Sequence, residues 1–382
     1  MNLRKPLFWM HLVTGVAAAV VVFLMSVTGV ALTYQRQLTE LATRDYRSDA
    51  AEHGIRPLEV DALLASVRDQ RPDLEPSSLT IRPDAAEPAL LRQGRRERLY
   101  VDRYTGEVLG DGSGRTSAFF RAMVDWHRWL GRAGDGRGVG RAVTGACNLA
   151  FLFLILSGLF LWWPRNWSPR ALRNVTWFRR GLRGKARDFN WHNVIGLWMM
   201  VPLVVIVASG VVISYRWAGD LVSTLAGSEP SSRTATGPAS RTPGNVRVSF
   251  AVSDAPEGLR SLDELLVIAA SDTPGWKSLT MDLPESLAEP VRFSMDRSPG
   301  GQPARRSHLT LDRSTGQVVA RGGYADLSPA RRLRSWLRFA HTGEVYGFVG
   351  QTIAGIASAG AAVLVWTGLA LSWRRFFGSS PS

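Results

Sequence analysis

Residues 11–34 read HLVTGVAAAVVVFLMSVTGVALTY, and residues 192–215 read HNVIGLWMMVPLVVIVASGVVISY. Each is an apolar run long enough to cross ~30 Å of hydrocarbon as a helix rising ~1.5 Å per residue. Each opens on a histidine, His11 or His192, and then repeats one spacing. Glycines follow four and eighteen residues on (Gly15 and Gly29, Gly196 and Gly210), and a tyrosine follows at twenty-three (Tyr34, Tyr215). Two further apolar runs, about 143–163 and 349–371, join those at about 12–32 and 194–212. Ahead of these two lie His127 and His341, each followed by Gly-x-x-x-x-Gly (Gly140 to Gly145, Gly350 to Gly355) and by a glycine thirteen residues later, Gly158 or Gly368. The approach is four residues longer in the first copy, at Asp135-Gly-Arg-Gly138. The expected fold is therefore membrane α-helical: a four-helix transmembrane bundle made of two tandem pseudo-symmetric repeats.

The net charge of +14 over 382 residues raises the question of nucleic acid, but its placement answers otherwise. Between the second and third runs lie Arg165, Arg170, Arg173, Arg179, Arg180, Arg183, Lys185 and Arg187 against a single acid, Asp188. Arg4 and Lys5 precede the first run, and Arg374 and Arg375 follow the last. By the positive-inside rule these segments are cytoplasmic, so both termini face in and no nucleic-acid partner is implied. The opening run exceeds the ~7–15 residues of a signal-peptide core and reads as a retained anchor. The expected division is transmembrane helix 1 at 1–35, an outer domain at 36–118, an interfacial histidine segment at 119–142, helix 2 at 143–164 and a basic loop at 165–188. Helix 3 at 189–217, a second outer domain at 218–332, a second histidine segment at 333–348, helix 4 at 349–373 and a tail at 374–382 complete it.

The repetition continues between the runs. Val60-Asp-Ala-Leu-Leu64 returns as Leu262-Asp-Glu-Leu-Leu266 in amphipathic helix patterns, and Ser78-Leu-Thr-Ile81 returns as Ser278-Leu-Thr-Met281 in strand patterns. Asp102-Arg-Tyr-Thr-Gly-Glu-Val108 returns as Asp312-Arg-Ser-Thr-Gly-Gln-Val318, a strand ending in a tight turn. Each outer segment is expected to be a small inserted α+β domain, the second entered through a flexible linker from Gly227 to Gly244.

A repeat unit with two spans returns to the same side of the membrane, so equivalent residues share a depth. His11 pairs with His192 near the inner surface, and His127 pairs with His341 near the outer one. Two histidines from opposite sides, with small residues that let helix backbones approach, suit axial ligation of a haem iron. Gly15 and Gly196, one turn from their histidines, would keep side chains off the macrocycle. Cys147 is the only cysteine, so a haem here is held without thioether bonds, and cysteine-ligated clusters are excluded. His53 and His308 have no counterparts and read as surface residues. Arg128, Arg141 and Arg338 suit either haem propionates or lipid phosphate. The tryptophans near the run ends read as interfacial anchors. No charge interrupts the four runs, which argues against an ion transporter, and no peptidase, hydrolase or nucleotide-binding motif is present. A haem near each face makes the function transmembrane electron transfer.

The chain resembles the PepSY-associated transmembrane family, iron-regulated inner-membrane proteins that include ferric-siderophore reductases. The resemblance rests on Arg4-Lys-x-Leu7, His11-x-x-x-Gly15, the repeated Asp-x-x-Thr-Gly-x-Val turns, Trp126-His127, Asn190-Trp-His192 and His341-Thr-Gly343. It implies two b-type haems with His11, His192, His127 and His341 as axial ligands, and periplasmic PepSY-like outer domains. It further implies a cytoplasmic electron donor, a flavoprotein or a reduced-nucleotide system, and reduction of a ferric siderophore in the periplasm of a Gram-negative bacterium. The competing expectation is a membrane-anchored PepSY binding protein that regulates a periplasmic peptidase or sensor, with the spans acting only as an anchor.

Overall fold

The computed structural model describes residues 3–49, 54–94, 97–112, 114–163, 168–227, 258–284, 286 and 289–377. In chain order the helices and strands are α1 (Arg4–Leu32), α2 (Gln35–Ala42), α3 (Val60–Gln70), β1 (Ser78–Ile81), β2 (Ala89–Gln93), β3 (Glu97–Val101), β4 (Val108–Gly110), α4 (Arg115–Trp129), α5 (Gly136–Trp162) and α6 (Pro169–Thr176). They continue as α7 (Gly184–Ser214), α8 (Arg216–Leu225), α9 (Leu262–Asp272), β5 (Ser278–Asp282), β6 (Val291–Asp296), β7 (Arg306–Leu311), β8 (Val318–Gly323), α10 (Pro329–His341) and α11 (Gly347–Phe376). The chain divides into two units, a helical one (1–35, 118–230, 333–382) and a sheet-containing one (36–117, 231–332).

Within the helical unit, α1, α5, α7 and α11 are long and apolar enough to span a membrane. Helix α1 packs against α5 and α11, and α7 packs against the same two. The four therefore close into a ring with α1 diagonal to α7. The inner surface is lined by small and aliphatic residues, Leu203, Ala357 and Ala361 being fully buried with Phe151, Met199 and Leu364 around them. Outward-facing apolar side chains such as Val20, 71 % exposed, suit lipid as their solvent. The helices begin earlier than their apolar runs, so His11 and His192 lie two turns inside α1 and α7.

The ring is fixed by polar links that a purely apolar reading does not anticipate. Asn148 donates to the Val207 carbonyl at 3.0 Å, joining α5 to α7, and Gln351 donates to the Thr33 carbonyl at 2.8 Å, joining α11 to the end of α1. Asp188, the lone acid of the basic loop, is buried in α7 and accepts from Arg187 and from Arg374 of α11. Such bonds orient helices that apolar contact alone would let slide.

In the sheet unit the two inserted segments, expected as two separate small domains, form one eight-stranded antiparallel sheet in the order β4-β3-β2-β1-β5-β6-β7-β8. Each segment supplies four strands and one helix that packs on the buried face of the sheet, α3 or α9. Strands β1 and β5, which would otherwise be bare edges, pair through Leu79↔Met281 and Thr80↔Thr280. Joining them removes two unpaired edges at once. Alternation does the rest: Leu79, Leu91, Leu279, Phe293 and Leu309 face α3 and α9 in a fully buried core, while the residues between them face the other way. The expected linker lies, beyond Gly227, outside the described residues, as does His53. His308 is half-buried in β7 instead of lying on the surface, because its Nδ1 meets Ser294 Oγ of β6 at 2.9 Å.

The repeated Asp-x-x-Thr-Gly turns explain themselves. Asp312 Oδ1 accepts from the Ser314 and Thr315 amides and from both hydroxyls, and Gly316 takes the left-handed angle at φ 71°. Those bonds, led by Ser314, lower the Asp312 pKa from the ordinary 3.8 to about 2. A carboxylate depressed on folding stabilises the protein above its unfolded value and loses that contribution as pH falls through the folded one. Asp312→Asn is therefore expected to lower the thermal midpoint at pH 5 and above, with the difference from wild type shrinking between pH 4 and pH 2.

Candidate cofactor site

The four histidines converge in two pairs at opposite ends of the helical ring. His11 of α1 and His192 of α7 come from diagonal helices, and each lies within electrostatic reach of the other. His127 lies in the last turn of α4 and His341 ends α10, and their rings stand 6.3 Å apart, centre to centre, at 67°. The pairings proposed from repeat parity are those the structure brings together.

Each imidazole is seated on a hydroxyl–glycine pair of a spanning helix. His11 Nδ1 meets Ser157 Oγ at 2.8 Å, and a Cβ at Gly158 would stand 3.4 Å from His11 Cε1. His192 Nδ1 meets Thr367 Oγ1 at 2.9 Å, beside Gly368. His127 Nδ1 meets Thr28 Oγ1 at 3.0 Å, beside Gly29. His341 Nδ1 meets the Ile206 carbonyl at 2.8 Å and Ser209 Oγ at 3.3 Å, beside Gly210. The spacing therefore identified the right glycines but not the hydroxyl before each, although Thr28-Gly29, Ser157-Gly158, Ser209-Gly210 and Thr367-Gly368 were all visible in the sequence. Gly15 and Gly196, singled out as clearance for a macrocycle, meet only Leu154 and Leu364 at 3.7 Å, so protein packing alone would admit a methyl there.

The hydroxyls also settle which nitrogen carries the proton. Ser157 donates to Phe153 O at 2.7 Å, Thr367 to Val363 O at 2.8 Å, Thr28 to Leu24 O at 2.7 Å and Ser209 to Ile206 O at 2.8 Å. A hydroxyl has one proton, so each oxygen accepts from the imidazole and Nδ1 is the protonated nitrogen. That leaves every Nε2 with a lone pair, the form a metal takes.

Two other sequence glycines serve the path into the spans. After α4 the chain turns through Leu130 and Gly131, both left-handed; of the glycine-rich insert only Asp135 precedes α5, and Gly136 to Gly138 form the first turn of that helix. A side chain at Gly140 would overlap the Trp129 carbonyl, and one at Gly350 would overlap the Gly343 carbonyl. The equivalent glycines thus let each histidine-bearing segment press onto the start of the following span. Thr144 Oγ1 completes the first joint by donating to Arg128 O at 3.1 Å.

Beside the outer pair, Arg128 feels the charges of Arg141, Arg338 and Arg137, and burial together with these neighbours lowers its pKa. Among the described residues only Arg137 of these is within ion-pair distance of a carboxylate, Asp125 at 4.0 Å. Such a cluster favours an anion alongside it.

The donor set fits a haem. The 6.3 Å between the ring centres of His127 and His341 would leave room for a metal held by both imidazoles. Among the described residues no group of three or more His, Cys, Asp or Glu gathers. Two imidazoles are too few for a bare zinc or iron site but complete a metal whose other four bonds come from a macrocycle. A family model described as the PepSY-associated TM region matches residues 8–375. No curated protein matches the chain.

Proposed function

Since the chain belongs to the family of the PepSY-associated TM region, in which its match spans nearly its whole length, we propose that it is a dihaem b-type reductase of the bacterial inner membrane. The carrying observation is the fourfold seating of histidines with Nδ1 bonded and Nε2 free. His11 and His192 would hold the inner haem, and His127 and His341 the outer one. A haem held by two imidazoles takes up and gives back one electron at iron with its ligands unchanged. The protein's part is to fix position and surroundings. Thr28, which seats His127, follows His11 on α1 by 17 residues, about 25 Å of helix, so the pairs stand near opposite faces of the hydrocarbon. Arg128, Arg141 and Arg338 would neutralise the outer propionates. Gly15 and Gly196, which protein packing does not require, would leave room for the inner macrocycle.

Basic segments around the chain ends and α6 support cytoplasmic termini, with the sheet unit in the periplasm. The matched spacings and the mirrored strand order support descent from a tandem duplication. Electrons would enter from a cytoplasmic flavoprotein or reduced-nucleotide system and leave to a ferric siderophore outside. Hard oxygen donors hold ferric iron far better than ferrous, so one electron releases the metal and spares the chelator.

The test is vectorial. The protein is reconstituted in vesicles with dithionite confined to the side of the chain termini and a ferric hydroxamate plus a ferrous-trapping dye on the other. Ferrous dye complex should form with wild type and not with empty vesicles. Equal dye formation in both would overturn the reading.

A further inference from the structure

The sheet unit contains a cavity of about 880 Å³ that the histidine chemistry does not use. Its floor is the open face of the sheet. One row across that face runs Tyr100, Leu90, Thr80, Thr280, Ser294 and His308, each cross-strand neighbour of the next. Its wall is the outer part of α2 with the turn after it, held down where Glu40 pairs with Arg82 of the sheet at 2.8 Å. The volume falls within the range of small-molecule sites, ~300–1,000 Å³.

Charge gives the cavity its chemistry. Arg44, Arg47, Arg82, Arg92 and Arg306 line it against Glu40, Glu87 and Asp296. Three of the arginines are already matched: Arg82 to Glu40 and Glu87, Arg47 to Asp84 and Glu87, and Arg306 to Asp296. Among the described residues Arg44 and Arg92 have no carboxylate within ion-pair distance, which leaves the lining two positive charges in excess. Arg92 is also set directly across from Arg98 on the neighbouring strand. Like charges opposite one another in an antiparallel pair destabilise a sheet. Burial, and then the Arg98 charge, hold the Arg92 pKa below its ordinary value. The strand pair would gain from an anion at that point. The Thr80 and Thr280 hydroxyls touch at 2.8 Å, so one of their two protons stays free to donate to a ligand.

We propose that this cavity binds a small organic polyanion bearing at least two carboxylate or phosphate groups. One group meets Arg92 with the Thr80–Thr280 hydroxyls and Tyr100, and the other meets Arg44. One cation on the floor, Arg92, and one on the wall, Arg44, select a ligand with two charged groups over a single oxyanion, and guanidinium forks suit planar oxygen pairs. The four histidines all belong to the other unit, so failure here leaves the haem reading untouched.

The experiment is calorimetric titration of the full-length detergent-solubilised protein, in metal-free buffer, with citrate and separately with inorganic phosphate. Citrate should bind the wild type. Arg92→Gln and Arg44→Gln should each weaken it about tenfold or more, Arg92→Lys should restore part of the loss, and Arg71→Gln, on the exposed loop after α3, should change nothing. Thermal unfolding checks that each variant is folded, and a citrate-induced rise in the wild-type midpoint gives a second readout independent of any variant. No citrate binding, binding unchanged in both arginine variants, or phosphate binding as tightly as citrate would overturn the proposal.

Discussion

Replacing His192 by alanine is expected to remove one haem and end transmembrane electron transfer while leaving the other haem in place. His192 and His11 reach the site from diagonal helices, and neither contacts the seats of His127 and His341 near the far ends of α1 and α7. A haem left with one protein ligand in the inner site loses its low-spin spectrum or dissociates. Haem content should fall from about two per chain to about one, with the remaining low-spin signal unchanged in shape. His11→Ala should do the same. His127→Ala should instead remove the outer haem, so the double variant His127→Ala with His192→Ala should be colourless. Pyridine haemochrome assay against protein concentration reads all four. Retention in His192→Ala of both haems with the full low-spin spectrum of wild type would show that this histidine is no ligand.

The seat hydroxyls carry the second large effect. Thr367→Ala leaves His192 Nδ1 without its acceptor and frees the ring to turn, and outer partners of this kind are worth ~10–100-fold in metal affinity. Loss of half of the inner haem is expected at haem concentrations at least tenfold above those needed for wild type, together with a shifted midpoint potential, because an imidazole that donates through Nδ1 is the more basic ligand. Thr367→Ser keeps the oxygen and should restore both. Ser157→Ala should act the same way through His11. At the outer site, Ser209→Ala should have the weakest effect of the four, since His341 Nδ1 is bonded at 2.8 Å to the Ile206 carbonyl and only at 3.3 Å to the hydroxyl. Uniform behaviour of Thr367→Ala, Ser157→Ala, Thr28→Ala and Ser209→Ala would contradict this ordering.

Much of the architecture was legible because membrane spans and duplicated spacing are long-range sequence signals. The four apolar runs, the helix-plus-strands content of each insert and the histidine pairing all follow from periodicity and parity. What was not legible lay between elements. Nothing in Ser78 to Ile81 or Ser278 to Met281 announces that each strand pairs with the other, because pairing of two equivalent edges depends on three-dimensional proximity and leaves no mark on alternation. The seats were missed for a different reason. Ser and Thr inside an apolar helix ordinarily bond back to their own helix, as Thr28 and Ser157 do, and only the fold shows a histidine adding to that bond. Gly140 and Gly350 were seen as a pattern, but their purpose, clearance for a carbonyl from the preceding turn, required the backbone path.

The most direct test of the account is the reduced-minus-oxidised spectrum of the purified full-length protein, expressed with adequate haem and paired with haem quantitation. Low-spin b-type bands at about two haems per chain are the predicted result. A colourless protein, with the chain folded and all four histidines intact, would contradict the central claim and leave the spans as an anchor for the sheet unit.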